Sequence, residues 1–166
     1  MTAVRLFDGG PLRFLPAALR EPRRAWLAIL VCYVLSFLGS IFLSWAAQGL
    51  APELGKPEFP MSGTAAVILL VLFAPLVETL IMAGVLGLLL RVVPPTIAVV
   101  ISAMLWGVAH SLQAPVWGLI IWWPFLIFSS LYVVWRQRGA WAGIGVAATT
   151  HALQNLGPAL IVSKLL

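Results

Sequence analysis

Charge is what this 166-residue sequence has least of. Only ten Lys/Arg and five Asp/Glu are present, 9% of the chain, where a soluble domain carries about a quarter. Hydrophobic residues make up 62%, too many for the available polar side chains to cover in water. That excludes an ordinary soluble enzyme and a disordered tail. Cysteine is nearly absent too: Cys32 stands alone, so there is no intrachain disulfide and no cysteine-based metal cage. The apolar/polar alternation of a membrane β-barrel is also missing, because the apolar runs are continuous and near span length. The net charge of +5 does not point to nucleic acid. Half of the basic residues (Arg5, Arg13, Arg20, Arg23 and Arg24) precede the first apolar run, which reads as a topology signal.

What is present is a series of long apolar segments. The expected fold class is all-α, a polytopic transmembrane helical bundle of about five membrane-spanning helices. The spans are placed at 26–48, 64–90, 94–112, 115–135 and 139–163, each long enough to cross about 30 Å of hydrocarbon. Breaks fall at Pro52, Pro57 and Pro60, at Pro94-Pro95, at Pro115, and from Arg136 to Gly139. Residues 1–24 form a basic, proline-interrupted segment expected at the membrane surface, and residues 25–166 a single transmembrane domain. A cleaved signal peptide is not expected, since the first apolar run is about twice a normal h-region. Trp26, Trp45, Trp117, Trp135 and Trp141 lie near span ends, where an interfacial belt would be. With the N-terminus inside, the inner segments hold eight Lys/Arg and the outer ones two, Lys56 and Lys164. The expected location is therefore an integral membrane protein with a cytoplasmic N-terminus. The compact chain suggests a bacterial inner (cytoplasmic) membrane.

Fourteen of the fifteen charged residues lie outside the spans; Glu78 is the exception. Placing an ionisable group there costs about 2.5–3.5 kcal/mol on insertion scales, so it is by default a functional candidate. Both histidines, His110 and His151, are also in spans. Asn155 follows His151 by four residues and shares its helix face, with Gly143 and Ala147 continuing the stripe. Measured from the inner span ends at ~1.5 Å per residue, Glu78, His110, His151 and Asn155 lie at ~18–24 Å, one layer across three helices. Gln113, Thr149, Thr150 and Gln154 border it.

This set suits three chemistries. Glu78 can serve as general base toward a water, with one imidazole holding that water and His151 and Asn155 donating to the oxyanion of a tetrahedral intermediate. Alternatively, Glu78, His110 and His151 bind zinc and leave a fourth position for water. In the third, the two histidines ligate a haem, which leaves Glu78 and Asn155 idle.

Three segments carry a family resemblance. Ala74-Pro75-Leu76-Val77-Glu78-Thr79-Leu80-Ile81-Met82-Ala83 corresponds to A-P-x-x-E-E-x-x-x-R, Trp106-Gly107-Val108-Ala109-His110 to F-x-x-x-H, and His151-Ala152-Leu153-Gln154-Asn155 to H-x-x-x-N. In order and spacing the sequence resembles the CPBP family, the CAAX-protease and bacteriocin-processing intramembrane proteases, over roughly residues 64–160. The resemblance implies a glutamate-dependent intramembrane endopeptidase. It maps the general base to Glu78 and the remaining catalytic positions to His110, His151 and Asn155. The implied substrate is a membrane-associated protein or peptide, with no nucleic-acid partner. No cofactor is expected; zinc on Glu78, His110 and His151 is the alternative. Three positions depart from the pattern: Thr79, Ala83 and Trp106. A Glu and an Arg four apart on a helix can pair, and losing both strands no charge. The rival expectation is a catalytically inactive member acting in immunity or partner binding.

Overall fold

The computed structural model describes residues 3–54, 59 and 61–164. It is all-helical among them, with five long helices: α1, Ala25–Leu50; α2, Gly63–Leu89; α3, Pro95–Ser111; α4, Pro115–Trp135; and α5, Ala140–Val162. Three of these, α1, α2 and α4, are long and apolar enough to cross a membrane. The 17 residues of α3 are apolar but reach only ~25 Å as a helix. The 23 residues of α5 have the length, but the Thr, His, Gln and Asn side chains that build the site lower their hydropathy. Pro52, the prolines at 94 and 95, Pro115 and Gly139 end or start helices as the sequence indicates; Pro57 and Pro60 lie outside the described residues.

α4 is the central post. It packs against α1, α3 and α5, and every residue from Pro124 to Trp135 is buried. A helix apolar on all sides needs such a surround. The helices around it show the reverse. Leu30, Leu38 and Phe42 of α1, Leu72, Phe73 and Ile81 of α2, and Met104 and Val108 of α3 are exposed. Such broad apolar faces are what a lipid-facing surface requires. Close helix contact depends on small residues. Gly39 of α1 lies beneath Trp123, whose indole N–H donates to the Leu35 carbonyl (3.0 Å), and a Cβ at Gly39 would fall on that indole. Gly118 of α4 meets the Gly107 carbonyl and Ser111 of α3 in the same manner.

The N-terminal segment closes the arginine-bearing end of the bundle. Phe7, Leu12, Leu15 and Leu19 are buried in the same apolar core as the helices. Three of the segment's five basic residues are held by its own acids: Arg5–Asp8 at 2.8 Å, Arg20–Asp8 at 3.2 Å, and Arg23 on Glu21. Gln137, in the turn between α4 and α5, pairs with the Val4 backbone. The Val4 N–H donates to Gln137 Oε1 (2.8 Å), and Gln137 Nε2 donates to the Val4 carbonyl (2.9 Å). Trp26, Trp45 and Trp141 are exposed near helix ends. Trp135 departs from the expected interfacial belt: it is buried, because it ends the enclosed stretch of α4.

Candidate active site

The helix that carries Glu78 is irregular just before it. Gly63–Ile68 and Ala74–Leu89 are α-helical, but Leu69–Phe73 is a single wider π turn. Pro75 explains it. Its ring clashes with a carbonyl one turn back, and it has no N–H to donate. In the π turn the Ala74 N–H reaches the Leu69 carbonyl. The next donor in that wider pattern would be residue 75, a proline, so the Leu70 carbonyl has no backbone partner in the ladder. Asn155 supplies one: its Nδ2 donates to the Leu70 carbonyl at 3.0 Å. One hydrogen of that amide is used, and the second stays free. The Ala-Pro pair thus opens the helix one turn before Glu78, and α5 fastens the opening.

The four residues marked in the sequence line one cavity of about 630 Å³: Glu78 from α2, His110 from α3, and His151 and Asn155 from α5. His151 Nε2 is 3.7 Å from Glu78 Oε2. The nitrogen that faces a carboxylate carries the hydrogen, since a carboxylate only accepts. His151 is buried and stacks on Phe128, centroid to centroid 4.6 Å. His110 is fixed differently. Its Nδ1–H donates to the Trp106 carbonyl (2.9 Å), which leaves Nε2 of a neutral ring as an acceptor. Trp117 stands edge-on to His110 at 4.8 Å. Phe125 packs on both imidazoles, 5.7 Å from His110 and 5.3 Å from His151. A carboxylate, an imidazole donor, an imidazole acceptor and an amide donor therefore share one enclosed space.

Among the described residues no three His, Cys, Asp or Glu side chains converge as a metal-binding cluster. Thr79 and Ala83, which replace the family's second Glu and Arg, are both buried. A lone ion at either position would have been stranded. Of the bordering residues, Gln154 ties α5 to α1. It accepts from Ser36 Oγ (2.7 Å) and donates to Ser40 Oγ (3.2 Å). Thr149 and Thr150 donate to carbonyls of their own helix, and Gln113 is exposed. Sequence reasoning missed Phe125, Trp117 and the Leu70 carbonyl. Pro75, four residues after Val71 in an otherwise helical run, was the available signal for the last.

A family model, type II CAAX prenyl endopeptidase Rce1-like, matches residues 60–157. The chain belongs to this Rce1-like family. The matched segment takes in α2, α3 and α4, most of α5 and all four cavity residues; α1 and the N-terminal segment precede it. No curated protein and no solved structure matches the chain. Membership in the Rce1-like family implies CAAX-type intramembrane protease activity in an integral membrane protein acting on a membrane-associated peptide.

Proposed function

We propose that the protein hydrolyses peptide bonds of a membrane-associated protein or peptide by a glutamate-activated water. Glu78 takes a proton from a water held by the acceptor Nε2 of His110, and the water oxygen bonds to the scissile carbonyl carbon. The resulting oxyanion receives hydrogen bonds from His151 Nε2–H and the free Asn155 amide hydrogen. When the carbon–nitrogen bond breaks, the protonated Glu78 returns its proton to the departing amine. The products are a carboxylic acid and an amine, with no cofactor in the cycle. The observation that carries this reading is the 3.7 Å approach of His151 to Glu78 inside a cavity that also holds His110 and Asn155.

Gln48, Phe59, Trp117 and Val162 line the cavity at the end of the bundle away from Arg91 and Arg136. With eight of ten basic residues at the other end, the positive-inside rule puts the N-terminus on the cytoplasmic side and this end of the cavity toward the opposite face. The test is a Glu78→Gln variant assayed on a prenylated CAAX peptide in proteoliposomes. Loss of a general base lowers the rate roughly 10²–10⁴-fold. A folded Glu78→Gln protein with full proteolysis removes the mechanism.

A further inference from the structure

Hydrolysis consumes one water per bond broken, and this site lies within an apolar bundle. The side chains of α1 suggest how that water arrives. α1 precedes the family-matched segment, and its lipid-facing side carries Leu30, Leu38 and Phe42. Another edge of it carries Ser36, Ser40, Ser44 and Gln48, four residues apart, so all four share one face. Helix association explains only the first two. Ser36 and Ser40 are engaged by Gln154, three residues after His151. Ser44 and Gln48 have no cross-helix partner among the described residues; Gln48 Nε2 donates only to the Ser44 carbonyl of its own helix, at 3.2 Å. Polar side chains in a span are costly unless they meet other polar groups or water.

Their position supplies the reason. Ser40, Ser44 and Gln48 all line the cavity that holds Glu78, His151 and Asn155. Gln48 lies near the C-terminal end of α1, and Ser40 lies beside Gln154 at the catalytic layer. α4 contributes Ile120, Ile121, Phe125 and Phe128 to the lining. Within a largely apolar lining, α1 therefore contributes a hydrophilic edge and α4 an apolar one. We propose that the Gln48–Ser44–Ser40 edge of α1 is the route by which hydrolytic water reaches Glu78, leaving the α4 wall to the apolar part of the substrate. This rests on the hydrolytic reading above.

The test uses single cysteines at positions 40, 44 and 48 in the full chain, in a Cys32→Ala background that removes the one native thiol. Cysteines at Leu38 and Phe42 are the lipid-facing controls. In proteoliposomes a membrane-impermeant methanethiosulfonate should modify 48 and 44 readily and 40 more slowly, leaving 38 and 42 unmodified. A Ser44→Ala variant, which removes only the hydroxyl, should lower kcat several-fold with KM unchanged. Equal modification at 44, 48 and the two controls, or an unchanged kcat in Ser44→Ala, overturns the route. Modification needs no turnover and can be repeated with Glu78→Gln. An active Glu78→Gln protein would remove the mechanism and leave the modification pattern to be judged by itself.

Discussion

Replacing Asn155 with Leu should destabilise the bundle by an amount that depends on the residue at position 75. The Leu70 carbonyl loses its ladder partner because position 75 is proline, and the Asn155 amide takes it at 3.0 Å. Removing the amide leaves that acceptor without a protein partner, a cost of up to about 1–3 kcal/mol. Hydrogen bonds between helices in bilayers average about 0.6 and reach about 1.7 kcal/mol, so the expected loss is ~1–1.5 kcal/mol. Pro75→Ala restores a backbone N–H at 75. The Leu70 carbonyl then finds a main-chain donor whether the π turn persists or tightens, and the same Asn155→Leu change should cost little. The assay is reversible unfolding in mixed micelles, with wild type, both single variants and the double variant forming one cycle. A coupling near 1 kcal/mol is the expected result. Equal costs for Asn155→Leu in the two backgrounds, within about 0.3–0.5 kcal/mol, would refute the assignment. If tightening the π turn rotates Glu78 relative to α5, Pro75→Ala should also lower proteolysis while leaving the fold intact.

Thr79→Glu alone should destabilise the bundle by roughly 3–5 kcal/mol, because it buries an unpaired charge, whereas Thr79→Glu with Ala83→Arg should recover most of the loss; folded yield after detergent extraction measures both. Gly39→Ala should cost about 1–3 kcal/mol by forcing the Trp123 indole from its place over α1, read as a lowered unfolding midpoint, and Gly49→Ala, where a Cβ meets nothing, should be silent.

The reach of the sequence ended where backbone geometry began. Hydropathy and proline placement were enough for five helices, because each must satisfy its own backbone bonds in lipid and each break needs a residue that cannot continue a helix. Glu78, His110, His151 and Asn155 stood out because polar groups are costly in such surroundings, and all four line one cavity. Pro75 signals a break in the backbone ladder, but the pairing of Asn155 with the freed carbonyl could not be read, since which side chain meets it depends on tertiary packing. The wedge of Phe125 against both imidazoles was equally hidden: an aromatic in an apolar run resembles any other. The burial of Trp135 followed from the enclosure of α4 by its neighbours, a tertiary outcome with no local signature.

The clasp between Val4 and Gln137 joins points 133 residues apart. During synthesis the first of these emerges long before the second exists. The leading segment, with its four core side chains, must therefore wait while the first four helices are made. Its docking belongs to the end of biogenesis, not the beginning, and truncated chains that stop before position 137 will display that apolar surface to chaperones and proteases.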